Sequence, residues 1–301
     1  MPLIVWASAK GSPGVTTAVV AVADAWPSPD RLQPGDSTPL VVEADPHGGD
    51  LAARYRLPEE PGLAGLAAAV RSPRDPDQTV SVARSFARAL GCAQAVTAPA
   101  GAGQTRAALS ILAAAGGPLA VAGLSAVPLL VDVGRLSRPT PVAPLLVAAD
   151  LIVLVSRTGL ADLAHAQELA GGLAGLNPHR QIVLRGASSY SSLEISAQLD
   201  VPVLGRLPDD RRVAASIRPR AGSRWARAIA TVARQLAEHV DDAQSTATPT
   251  RSVRPAPVEP RWPTHEHHRR GAQPHLGVVG QPSPSDEVEE ATRGAASEGS
   301  S

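Results

Sequence analysis

Near the start of the chain, Lys10-Gly11-Ser12-Pro13-Gly14-Val15-Thr16-Thr17 combines two glycines, an ammonium group and three hydroxyls between an apolar run and a helical stretch. Glycine lets the backbone approach a bound group closely. A helix that begins there aims its first N–H groups, and the positive end of its dipole, at the same spot. That chemistry suits a phosphate. Lys10 is the only lysine in the chain, and every other basic residue among the 28 is an arginine. Keeping one compact ammonium on a flexible stem inside this loop favours a specific use for it. Acids follow at the ends of later apolar runs: Glu43 and Asp45 in "VVEADPHGGD", and Asp132 in "LLVDVG". Carboxylates at such places could hold a divalent cation or position a water for phosphoryl transfer. Taken singly, the glycine turn also reads as a tight strand–helix connection and each acid as a turn or capping residue. The order of all three along the chain is the more specific signal.

The elements that must position these residues are legible as alternation. Leu3 to Ala7 reads as a strand and Thr16 to Trp26 as a helix rich in Ala and Val; Pro39 to Val42 is a second strand. Helical stretches follow near Asp50 to Tyr55 and Leu63 to Arg71. Further strands are expected at Ala93–Thr97, Pro128–Val133, Leu151–Ser156, Gln181–Leu184 and Pro202–Leu204, separated by helices such as Thr105–Ala115 and Leu160–Leu173. Strands alternating with helices predict a doubly wound α/β fold, with a mostly parallel sheet flanked by helices. Ser223 to Val240 places Trp225, Ile229, Val232 and Leu236 on one helical stripe, read as a final helix packed on the sheet rather than one lying on a membrane. From 243 the chain turns rich in Pro, Ser, Thr, Arg and Glu without apolar periodicity. The reading is one domain over 1–242 and a disordered tail over 243–301.

The motif Lys10-Gly11-Ser12-Pro13-Gly14-Val15-Thr16-Thr17 resembles the deviant Walker A loop, KGGxGK[ST]T, of the ParA/MinD family of ATPases. "VVEADPHGGD" resembles the family's "VDxDPQG", with Glu43, Asp45 and His47 at the two acids and the glutamine, and "LLVDVG" resembles its Walker B segment. "AADLIVLVSRTGLADL" and "LDVPVLGRLPDD" are similar to its later strands, so the resemblance spans roughly residues 1–240. It implies a P-loop NTPase-like fold, ATP and Mg2+ as cofactors, and an ATP-dependent homodimer. Lys10 would reach phosphates across that dimer and Asp45 would serve the attacking water. Gly11, Ser12, Gly14, Val15, Thr16 and Thr17 would cradle the nucleotide, with Arg185, Pro208 and Asp209 near its base. Thr16 and Asp132 would serve magnesium.

The sequence departs from the family at a position that does chemistry. Val15 stands where the loop lysine normally bridges the outer phosphates, and Ser12 replaces a glycine. A charge-assisted hydrogen bond is worth about 1.5–3 kcal/mol, so its loss weakens binding about tenfold to a hundredfold. Two functions follow. One is a nucleotide-dependent dimerising switch that positions DNA or a cell-surface or secretion assembly, with nonspecific DNA or a protein of a partitioning, secretion or pilus assembly as partner. The other is a non-hydrolysing scaffold of the same fold. A reductase of this fold group needs bridging cysteines, and Cys92 is alone. That lone thiol also excludes an internal disulfide and a cysteine-built zinc or iron–sulfur site.

Basic and acidic residues balance at 28 each, so no global field draws nucleic acid or anionic lipid and any such partner must meet a local patch. Arg211, Arg212, Arg218, Arg220, Arg224 and Arg227 are that patch's candidates, as DNA contacts or as a solvated face. His265, His267 and His268 read as incidental in the tail. No apolar run spans a membrane and no leader pattern opens the chain, which reads as cytoplasmic.

Overall fold

The computed structural model describes residues 3–11, 13–27, 38–70, 75–125, 127–210, 213 and 221–246. Its centre is an eight-stranded sheet: β1 Leu3–Ser8, β2 Leu40–Glu43, β3 Arg88–Leu90, β4 Ala93–Val96, β5 Leu129–Arg135, β6 Leu151–Arg157, β7 Arg180–Arg185 and β8 Val203–Leu207. The spatial order is β3-β4-β2-β5-β1-β6-β7-β8. Every neighbouring pair is parallel except β3 with β4. The doubly wound, mostly parallel α/β fold expected from the alternation is therefore the fold observed. The edge strand β3 was not anticipated. It is three residues long and returns through Gly91, whose φ of 73° suits the tight antiparallel turn into β4.

The helices are α1 Val15–Asp24, α2 Leu51–Tyr55, α3 Leu63–Ala69, α4 Pro76–Ser85, α5 Ala102–Leu112, α6 Pro118–Ala122, α7 Ala143–Ala148, α8 Leu160–Ala174, α9 Ser192–Leu199 and α10 Arg224–Thr246. Two carry their own start signals. The Asp75 side chain accepts from the N–H groups of Asp77 and Gln78 with Pro76 in the first turn of α4, and Ser191 with Glu194 forms a capping box on α9.

Pleating divides the core in two. Leu3, Val5 and Ala7 of β1 enter one apolar cluster, whereas Ile4 and Trp6 enter the other, which α1 and α10 cover. Strands buried on both faces read as continuous apolar runs, which is why β1, β5 and β6 were recognisable. Trp225, Ile229, Val232, Leu236 and Val240 of α10 are all buried against β8 and α1, so the expected stripe is a core face. Among the described residues no helix is long and apolar enough to cross a membrane. Of the expected tail over 243–301, residues 243–246 belong to α10, and the rest, with its histidines, lies outside the described residues, as do Ser12, Arg211, Arg212, Arg218 and Arg220.

Candidate functional site

In a parallel sheet all carboxyl ends open on one edge, and ligand crevices form where the chain leaves a central strand in opposite directions. Here β1 sits in that position, and the loop after it turns into α1. Gly14 starts the helix with φ 96° and ψ 34°, a left-handed conformation that favours glycine. No side chain caps α1 and its first turn holds no acid, so its leading N–H groups are left for an anion. The buried Ser8 hydroxyl donates to the Lys10 carbonyl at 3.0 Å, fixing where the loop departs from the strand.

Two further strand ends come to the same place. β5 pairs with both β1 and β2, which brings Asp132 level with Trp6 and with Glu43. Gly134 follows with φ 59°, and a Cβ built there would lie 1.9 Å from Asp45 Oδ2. Only glycine lets the Asp45 segment pack on β5. Asp45 Oδ1 accepts from the His47 N–H at 2.8 Å and faces His47 Nδ1 at 3.0 Å. A cavity of about 510 Å3 opens between these segments, lined by loop residues Gly11, Pro13, Gly14, Val15, Thr16 and Thr17. Asp45, His47, Asp50, Arg54, Arg135 and Arg185 line it from outside the loop.

Asp132 is 1% exposed and does not itself line the cavity, but Gly134 and Thr16, which both interact with it, do. Its Oδ1 accepts from the Gly134 N–H at 2.9 Å, whereas Oδ2 is buried and no hydrogen bond of ordinary length closes on it. Burial pushes the carboxyl up to about 6; the Thr16 hydroxyl and the Gly134 N–H pull it down, and the charges of Asp45 and Asp50 add to the rise. A buried, unsatisfied carboxylate oxygen beside a threonine hydroxyl is an arrangement a hard cation would complete. Among the described residues no three or more His, Cys, Asp or Glu side chains gather to hold a metal, so such an ion would depend on Thr16, Asp132 and oxygens of the ligand.

Glu43 has a different task from the one its motif position implied. Its Oε1 accepts from the N–H groups of Asp50 and Leu51 at 2.6 and 3.0 Å, and Oε2 from Ala98 at 2.9 Å. Burial pushes this carboxyl up to about 7; the N–H groups of Ala98, Leu51 and Asp50 oppose the rise and the Asp132 charge adds to it. Glu43 is 1% exposed and ties the start of α2 to the end of β4 without lining the cavity.

Val15 is 5% exposed and packs in the apolar cluster under α1, so the first position of the helix offers the cavity no charge. Lys10 is exposed and is not among the lining residues. Arg185 turns toward the loop: Nη1 donates to the Pro13 carbonyl at 3.2 Å and Nη2 pairs with Asp209 Oδ1 at 2.9 Å. Asp209 thus reaches the site through Arg185, and Pro208 does not line the cavity. Arg224 and Arg227 are exposed on α10, where Arg227 Nη1 donates to the Gly222 carbonyl at 2.7 Å. Sequence reasoning missed Arg54, Arg135 and Asp50. The signal for Asp50 and Arg54 was their spacing of four across the start of α2, Asp50 at its N-cap and Arg54 one turn on, directly after the Asp45 segment.

No family model matches this sequence, and no curated protein does. Solved structures do. The chain is similar to a ParA family ATPase of Chlorobium tepidum at 19% identity, over 77% of this chain and 98% of that one, with a TM-score of 0.58. It is similar to the cell division ATPase MinD of Pyrococcus furiosus at 14% identity, over 79% and 100% of the two chains, with a TM-score of 0.60. The septum site-determining protein MinD of Pyrococcus horikoshii, solved with Mg-ADP, matches at 14% identity over 80% and 98%, with a TM-score of 0.56. At such identities the likeness is one of fold: this chain has the α/β fold of the ParA and MinD ATPases.

Proposed function

We propose that the protein is a nucleotide-dependent switch of the ParA/MinD kind, in which ATP occupies the cavity over α1 and couples to pairing of two copies. The observation that carries this reading is the convergence on one cavity of an uncapped helix start, Thr16 above the unsatisfied Asp132 Oδ2, and Asp45. The loop N–H groups bind and orient the phosphates. Magnesium, when bound, supplies positive charge at the outer phosphates, and Thr16 and Asp132 are the residues that would hold it. Asp45, oriented by the His47 N–H, accepts a proton from or orients the water that attacks the terminal phosphate. The exposed position of Lys10, outside the cavity of its own chain, suits a reach toward a second copy.

The apolar environment of Val15 supports a second reading, a scaffold that binds nucleotide without turning it over, because charge developing at the transferred phosphoryl group finds no cation at the first position of α1. Calorimetry with Mg-ATP, followed by a phosphate-release assay, separates the two. Binding with turnover that falls in Asp45→Asn supports the switch; binding without turnover leaves the scaffold; no binding overturns both nucleotide readings. Cargo belongs to the same proposal: DNA at the arginines around Arg224 and Arg227, or a protein partner in a partitioning, secretion or pilus assembly.

A further inference from the structure

The cavity is short of a cation where its loop turns into α1, yet arginines from three other elements line it: Arg54 of α2, Arg135 at the end of β5 and Arg185 at the end of β7. Their commitments differ. Arg185 is 17% exposed, and Asp209 matches its charge. Its Nη1 would lie 2.8 Å from a Cβ on Gly14, so it lies against the loop backbone and braces it. Arg54 is exposed, and its Nη2 donates to Thr17 Oγ1 at 3.0 Å. Thr17 is the third residue of α1, within the turn whose N–H groups have no side-chain cap. The guanidinium therefore reaches the first turn of α1, as Arg185 reaches the loop before it, and lines the same cavity.

We propose that Arg54 replaces the absent loop lysine as the cation that binds the phosphates of a nucleoside di- or triphosphate, with Arg185 as the residue that positions the loop. The inference rests on the nucleotide reading above. A planar guanidinium with five N–H donors can take a phosphate oxygen while keeping a hydroxyl partner, which an ammonium on the helix itself would not need to do. Because Arg54 follows the Asp45–Asp50 segment onto α2, filling the phosphate site would also hold that segment closed over the ligand. In a chain whose basic residues are arginines but for Lys10, a replacement cation has to be an arginine unless Lys10 supplies it.

The test titrates the full chain with ATP and magnesium, comparing wild type with Arg54→Gln and Arg54→Lys. Arg54 is exposed, so both variants are expected to fold, and their unfolding temperatures check it. Loss of one charge-assisted contact predicts ATP affinity about tenfold to a hundredfold lower in Arg54→Gln, with part of it retained in Arg54→Lys, whose ammonium keeps the charge but not the planar fork. Wild-type affinity in Arg54→Gln overturns the role of Arg54 and leaves the nucleotide reading standing. An equal fall in both variants at unchanged unfolding temperature also overturns it, since geometry at Thr17 rather than charge would then be at work. A wild-type chain that binds no ATP overturns the nucleotide reading itself.

Discussion

At the scale of single residues, chemistry and architecture separate by where a side chain's partners lie. Glu43 and Asp45 are two positions apart at one strand end, yet one is consumed by three backbone donors and the other faces the cavity. Removing the first leaves those donors without a partner, and a buried unsatisfied group costs about 1–3 kcal/mol. Glu43→Ala is therefore expected to lower stability by at least about 3 kcal/mol in denaturant unfolding, and Asp45→Ala by much less. Gly134→Ala carries both a positive φ and a Cβ 1.9 Å from Asp45 Oδ2, so it should displace the Asp45 segment and weaken Mg-ATP binding along with stability. The sequence made Asp45 and Asp132 readable as strand-end acids in a recognisable order. It could not separate Glu43 from them, because whether a carboxylate meets a ligand or backbone N–H groups depends on packing that spans residues 43 to 98.

At the scale of elements, the site is held by the layers on each side of β1. The α10 helix has no residue in the cavity, but it covers the face of the sheet that also receives α1. Leu236 is fully buried there, so Leu236→Ala is expected to cost about 2–5 kcal/mol in equilibrium unfolding while leaving ATP affinity per folded molecule unchanged. An affinity loss larger than the unfolded fraction explains would mean that α10 also sets the angle of α1. Continuous apolar runs made most strands readable, and the stripe on α10 made its buried face so. The short edge strand β3 lacked enough residues for periodicity. The α4 helix is hard to read in the sequence although Asp75 and Pro76 announce it, since its mixed charge from Asp77 to Ser85 hides a narrow buried face of Thr79, Val80 and Ala83.

At the scale of the whole molecule, nucleotide occupancy would be joined to assembly. If Lys10 reaches a second copy, Lys10→Ala should bind Mg-ATP in the monomer yet fail to shift in sizing chromatography, whereas the wild type shifts. An identical elution of both with ATP leaves Lys10 as a solvated loop residue. Should the dimer also gather arginines, duplex DNA affinity will rise with ATP and fall with salt, at a slope of about −0.9 for each phosphate neutralised. Arg218→Glu, Arg220→Glu and Arg224→Glu together would remove it. Beneath both lies the proposed seat of a phosphate-bearing nucleotide on the start of α1 despite Val15. Hydrogen exchange of the full chain, with and without Mg-ATP, reads that location directly. Slowed exchange is expected at the amides of 14–18 together with those of 45–54, where Asp45 and Arg54 face the cavity, with little change in α3 or α9. Unchanged exchange at 14–18 under saturating Mg-ATP, or protection confined to another surface, would contradict it.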